Sequence, residues 1–203
     1  MKTEIEVKFL DVDFDNLREK LLALGAVCEQ PMRLMRRVII EPPHLTARDA
    51  FVRVRDEGDK VTLTYKQFDD HMAFSGVQEI EVAVSDFDAT VALLAQAGLP
   101  HKSFQESRRE TWRLDNTEVV LDEWPWLKPY IEIEGHSESE VEQTAKALGF
   151  DWADAVFGSV TVAYQAQYPD GDASKLVSVP KVAFNATIPE VISGQKEIHH
   201  ENI

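Results

Sequence analysis

The sequence predicts an α+β protein: a mainly antiparallel barrel or sandwich with a few helices packed outside it. Three observations predict this. Short runs alternate charged and apolar residues with the period of two that a strand requires. Three other segments space their apolar residues for a helix and end on glycine. Turn-forming residues separate neighbouring strand-like runs closely enough to make hairpins.

The first strand lies in TEIEVKFL, where Glu4, Glu6 and Lys8 alternate with Ile5, Val7 and Phe9. Successive strand side chains point to opposite faces, so one face is ionic and the other apolar. DFDNLREKLLALG follows, with Leu17, Leu21 and Leu24 on one helical stripe and a stop at Gly25. Residues 36–40 form a strand that ends at the Pro42-Pro43 break. Residues 50–55 and 60–67 read as a hairpin turning around 56–59, with Arg53 and Arg55 on one face and Thr62, Thr64 and Lys66 on another. QEIEVAV carries Glu79 and Glu81, and SDFDATVALLAQAG is a second helix, capped by Ser85 or Asp86 and stopped at Gly98.

RRETWRLDNTEVVLDEW is a second hairpin turning at Asp115-Asn116; Arg109, Thr111 and Arg113 oppose Trp112 and Leu114, and Val120 and Asp122 oppose Val119 and Leu121. YIEIEGH repeats the acidic pair as Glu132 and Glu134, and SESEVEQTAKALG is a third helix with a capping box at Ser137 and Glu140. Strand then helix thus occurs three times, as a weak internal repeat or as a coincidence of amphipathic helices. Residues 169–203 have no sustained period and read as an extended, partly ordered tail after a domain spanning 1–168.

Composition narrows the functions. The net charge of −15 disfavours nucleic acid and anionic membranes as partners, so an anionic ligand must meet a local basic cluster. No apolar run approaches the roughly 20 residues of a membrane span, and acidic residues begin where a signal-peptide core would lie. A single cysteine, Cys28, excludes an internal disulfide framework, and together these point to the cytoplasm. Cys28 itself reads as a packed thiol. His44, His71, His101 and His136 show no ligand spacing, and His199-His200 lies in the solvated tail.

The charged strand faces allow two arrangements. One is an ordinary sheet whose polar face meets water. The other is an inverted barrel with charges lining its bore and helices covering its apolar outside. Buried charge is costly unless paired or ligated. Clustered carboxylates suit a hard divalent cation such as Mg²⁺ or Mn²⁺, and guanidinium forks suit phosphate oxygens. Both together describe a phosphoryl-transfer site.

In order, Glu4-x-Glu6-x-Lys8, Arg53-Val54-Arg55, Lys66, Glu79-Ile80-Glu81, the run Arg108 to Trp112, Leu121-Asp122-Glu123 and the run Tyr130 to Gly135 resemble the CYTH domain, the triphosphate tunnel metalloenzymes. The resemblance implies an eight-stranded antiparallel β-barrel forming a tunnel, and an enzyme that hydrolyses a triphosphate such as tripolyphosphate, thiamine triphosphate or ATP. A class IV adenylyl cyclase is the alternative, and a non-catalytic polyphosphate- or nucleotide-binding module is another. It implies Mg²⁺ or Mn²⁺ held by Glu4, Glu6, Glu132 and Glu134. It also implies a phosphate clamp of Lys8, Arg53, Arg55, Lys66 and Arg109, with Arg113 as a further member. Glu4, Glu6 and Asp122 are the catalytic candidates; Asp122 either positions a metal-bound water or pairs with Arg109. Glu79 and Glu81 order the basic residues or meet a second metal. The chain departs from the family at Arg36-Arg37-Val38-Ile39-Ile40, where members often carry Asp and aromatics, and at Trp126-Leu127-Lys128-Pro129. Trp124 and Trp126 either stack on a base or pack their own loop.

Overall fold

A computed structural model describes residues 5–68 and 77–195. Glu4, His71 and His199-His200 lie outside the described residues. β1 (Ile5–Leu10) leads into α1 (Phe14–Ala23), whose N-cap Asp13 accepts hydrogen bonds from the N–H groups of Asp15 at 3.0 Å and Asn16 at 3.2 Å. Leu17 and Leu21 are buried, whereas Leu24 is 44% exposed, against expectation. The helix ends at Ala23, so Leu24 is its C-cap and has left the stripe, and Gly25 turns the chain with a φ of 80° that favours glycine.

β2 (Val27–Ile40) extends well before residues 36–40. Pro31 lies within it, and the pairing register slips between Gln30 and Arg33, as a residue without an N–H requires. A short helix, α2 (Pro43–Thr46), precedes β3 (Ala50–Asp56), β4 (Val61–Phe68) and β5 (Val77–Val84). Asp86 caps α3 (Phe87–Gln96). β6 (Ser103–Leu114) and β7 (Thr117–Glu123) form the second hairpin, with Asp115 at a φ of 51° in its turn. β8 (Tyr130–Gly135) leads into α4 (Glu138–Ala147), whose N-cap Ser137 hydroxyl accepts from the Glu140 N–H at 3.3 Å and donates to its carboxylate at 3.1 Å. α5 (Thr161–Gln167) follows, then a 3₁₀ turn (Ala173–Ser178), β9 (Lys181–Val182) and α6 (Glu190–Ser193).

Eight strands form one sheet in the order β1-β8-β7-β6-β2-β3-β4-β5, every neighbouring pair antiparallel. Among the described residues no ladder joins β1 to β5, so the wall is not closed by hydrogen bonds. The free edge of β1 instead meets Val156: each backbone N–H of Lys8 and Val156 donates to the other's carbonyl, at 2.8 and 2.9 Å. β9 pairs in parallel with β6 at Phe104 and Gln105, beyond the last rung between β6 and β7.

The apolar faces pack outward beneath helices. Val7, Phe9, Val119, Leu121, Ile131 and Ile133 bury against Leu17 and Leu21 of α1 and Val141 of α4. Val38, Ile40 and Val54 meet Phe87 of α3. A third cluster, on the ionic side of the sheet, joins Trp124 and Tyr130 to Tyr164, Leu176, Val179, Val182 and Ile192, so residues beyond Pro169 pack on the sheet. The thiol of Cys28 is exposed, correcting the expectation that it is packed: it lies on the irregular first stretch of β2, outside the apolar clusters.

Candidate functional site

The opposite, ionic face lines the bore, and cross-strand register sets its rows. Glu134 stands between Glu6 and Glu118, and Glu132 between Lys8 and Val120. Asp122 stands beside Arg109, Gln105 beside Arg37, and Arg37 beside Arg55. Thr64 adjoins Arg53 and Glu81, and Lys66 adjoins Glu79.

The most buried charges are in β1, β6, β7 and β8. Lys8, 1% exposed, forms ion pairs with Glu6 and, at 3.2 Å, with Glu132. Burial alone would lower the Lys8 pKa, but Glu132 and Glu6 outweigh it and raise it. Arg109 donates to Asp122 at 2.8 Å and to Glu132 at 2.9 Å. Burial opposes the charge on Arg109 too, yet Asp122 and Glu132 hold its pKa well above the ordinary arginine value. Against burial, Arg109 and Lys8 hold Glu132 below the usual carboxylate range. Of the two roles offered for Asp122, the geometry displays the ion pair with Arg109.

Glu6, Glu132 and Glu134 bring carboxylate oxygens within 4.8 Å of one another. Burial, then Glu6 and Glu132, push Glu134 up to about 8. Burial and Glu132 likewise raise Glu6, although Lys8 opposes them. An all-oxygen donor set with excess negative charge fits a hard divalent cation, which would relieve the repulsion that now favours protons. Among the described residues this is the one group of three carboxylates at ligand spacing. Glu79 and Glu81 stand elsewhere: Glu79 pairs with Lys66 at 2.8 Å, and Glu81 accepts from Thr64 at 2.8 Å and lies 3.8 Å from Arg53.

The structure therefore brings Lys8, Arg53, Arg55, Lys66 and Arg109 onto one face. Arg113 is 39% exposed and stands at the rim, paired with Glu118 at 3.0 Å and Glu29 at 3.3 Å. Arg55 pairs with the buried Glu57 at 2.8 Å. Trp124 and Trp126 are engaged in packing: the Trp124 ring carries the Arg37 guanidinium at 4.5 Å, and the Trp126 indole donates to the Ala186 carbonyl at 2.6 Å. Sequence reasoning missed Arg37, Gln105 and Tyr130 as bore residues. The signal for Arg37 was its position two residues before Ile39 in β2, which only the pairing with Arg55 puts on the ionic face.

An antiparallel sheet with charge inside and helices outside, holding three carboxylates beside a row of basic residues, defines a charge-lined tunnel protein. The sequence pattern of the CYTH domain family matches residues 2–153, and the chain belongs to that family. Its fold is similar to that of the PH1012 protein from Pyrococcus horikoshii, at 25% identity and a TM-score of 0.61 over 75% of this chain and 94% of that one. A protein from Vibrio parahaemolyticus, provisionally named an adenylate cyclase, superposes with a TM-score of 0.66 at 12% identity, over 79% of this chain and 96% of that one. A Hippeastrum protein, likewise named provisionally as an adenylyl cyclase and described as having a dominant triphosphatase activity, gives 0.52 at 16% identity, over 81% and 96%. Comparison with curated proteins yields no match. No described helix is long and apolar enough to cross a membrane.

Proposed function

We propose that this chain is a Mg²⁺- or Mn²⁺-dependent triphosphatase that hydrolyses an inorganic or organic triphosphate within the bore. The observation that carries the reading is one sheet face on which Glu6, Glu132 and Glu134 converge beside Lys8 and Arg109. These three carboxylates, with Glu4 from the family pattern, would hold the ion. When bound, the ion supplies Lewis-acid polarisation of phosphate oxygens and a more acidic water. Lys8, Arg109, Arg53, Arg55 and Lys66 neutralise the charge that develops on the departing phosphates, where preorganised groups are most effective. Asp122 fixes the Arg109 guanidinium through two parallel hydrogen bonds, and Glu79 and Glu81 steady Lys66 and Arg53.

The adenylyl cyclase reading shares this machinery but needs a base pocket. Trp124 and Trp126, the aromatic candidates for it, are occupied by Arg37 and Ala186, which supports hydrolysis. A simple anion binder gains nothing from three carboxylates beside its ligand, which supports an enzyme. The test is incubation with tripolyphosphate, thiamine triphosphate and ATP plus Mg²⁺ or Mn²⁺, resolving the products. Orthophosphate release is expected; cyclic AMP with pyrophosphate would select the cyclase, and no product would select the binder. Glu6→Gln is expected to abolish metal-dependent release while leaving the circular dichroism spectrum unchanged.

A further inference from the structure

Arg37 lies in the stretch Arg36 to Ile40 where the chain departs from the family pattern, and the structure gives that residue a use. Every other basic side chain of the proposed clamp has a carboxylate partner: Lys8 has Glu6 and Glu132, Arg109 has Asp122 and Glu132, Arg55 has Glu57, Arg53 has Glu81 and Lys66 has Glu79. Arg37, among the described residues, has none. Its Nε donates to the Gln105 side-chain oxygen at 2.8 Å, and its guanidinium lies over the Trp124 ring.

That placement is enforced from behind. The Gln105 amide donates to Ser103 Oγ at 3.2 Å, and the Ser103 hydroxyl donates to the Val179 carbonyl at 2.6 Å. Gln105 and Ser103 are both buried, and Val179 and Val182 pack with Trp124. The C-terminal segment thus holds both supports of Arg37: the amide that binds Nε and the ring beneath the guanidinium.

With Nε occupied, the other nitrogens of Arg37 are left for a small cavity of about 20 Å³ that the residue lines. Met35, Arg36, Arg37, Arg55, Ser107, Arg109 and Trp124 line it. The Nε atoms of Arg55 and Arg53 are also buried without a hydrogen-bond partner. Burial, then Arg53 and Arg55, lower the Arg37 pKa to about 9. Guanidinium groups gathered in a partly buried cavity repel one another and leave donors unused, and an anion with several acceptor oxygens corrects both defects.

We propose that Arg37, positioned by Gln105, Ser103 and the Val179 carbonyl and seated on Trp124, binds a phosphoryl group of the substrate together with Arg55 and Arg109. This rests on the triphosphatase reading and adds to it a phosphate subsite on the far side of Arg109 from the Glu6, Glu132 and Glu134 group. The C-terminal segment contributes to specificity by holding that subsite in shape.

The test is calorimetric titration, with Mg²⁺ present, of an imido-bridged tripolyphosphate that resists hydrolysis. Arg37→Gln is expected to weaken binding ~10-fold or more, the loss of a charge-assisted bidentate contact. The ligand-free protein is expected to melt at the same or a higher temperature, since a repulsive charge is gone. Arg37→Lys keeps the charge but loses the fork, and is expected to weaken binding by several-fold. Ser103→Ala is expected to fall between wild type and Arg37→Gln. Lys128→Gln, which removes an exposed cation paired with Asp11 away from the cavity lining, is expected to bind within about twofold of wild type. If the wild-type protein does not bind the ligand, the triphosphatase reading falls and this subsite with it. If wild type binds while Arg37→Gln and Arg37→Lys bind equally well, the subsite alone is refuted.

Discussion

The two halves of the sheet handle charge differently. In β1, β8, β7 and β6 the ionic groups are sunk in the wall: Asp122 is fully buried, Lys8 nearly so, and α1 and α4 seal the apolar reverse. In β3, β4 and β5 each pair keeps one partner open to water: Glu81, Glu79 and Arg55 are 36%, 37% and 22% exposed, although Arg53 and Glu57 are buried. There α3 covers less, leaving Ile80 and Val82 of β5 and Leu93 of α3 exposed. Buried ion pairs are costly to form and rigid once formed, whereas open pairs are cheap and adjustable. On the proposed reading, the first half would fix the metal and the reacting phosphate, and the second would follow the rest of the ligand.

That contrast can be broken by mutation. The largest effect is expected at Asp122→Ala, which leaves Arg109 in the wall with only Glu132; a buried charge stripped of its main partner costs about 3–5 kcal/mol in denaturant unfolding. Loss of less than ~1 kcal/mol would show that the wall is no more rigid than the open half. Next is the helical cover. Leu21→Ala under α1 is expected to cost about 2–5 kcal/mol by the same measurement, and Leu93→Ala on α3, at 67% exposure, within about 0.5 kcal/mol. Equal losses would contradict the difference in packing.

The contrast also has a signature in pH. Glu134, raised from 4.5 to about 8, binds its proton more tightly in the folded state than in the unfolded one. The contribution of Glu134 to the stability of the metal-free protein is therefore full below about 4.5, falls as pH rises towards about 8 and levels above it. A lower melting temperature at the upper end is expected, and Glu134→Gln should remove that part of the slope. A slope unchanged in Glu134→Gln would place the repulsion elsewhere.

Much of this was legible in the sequence because period and capping are local. The alternation in TEIEVKFL and YIEIEGH separated an ionic face from an apolar one, and Asp86, Ser137, Gly98 and Gly149 marked helix ends that the structure retains. What failed was non-local. β2 was read too short because Pro31 and its register slip erase alternation across residues 27–35. Arg37 was seen as a departure and not as a bore residue, since its direction depends on pairing with both β3 and β6. The packing of residues 169–195 had no signature, because its elements are a few residues long and are held by single contacts such as Ser103 to Val179. Leu24 fitted the helical stripe but lay one residue past its end.

The unlaced margin between β1 and β5 has its own consequence. A fully laced hoop has a girth set by its rungs and must snap some of them to widen. Here, among the described residues, no rung joins the two end strands, so the wall can widen along that margin, as a split ring does, while its ladders stay whole.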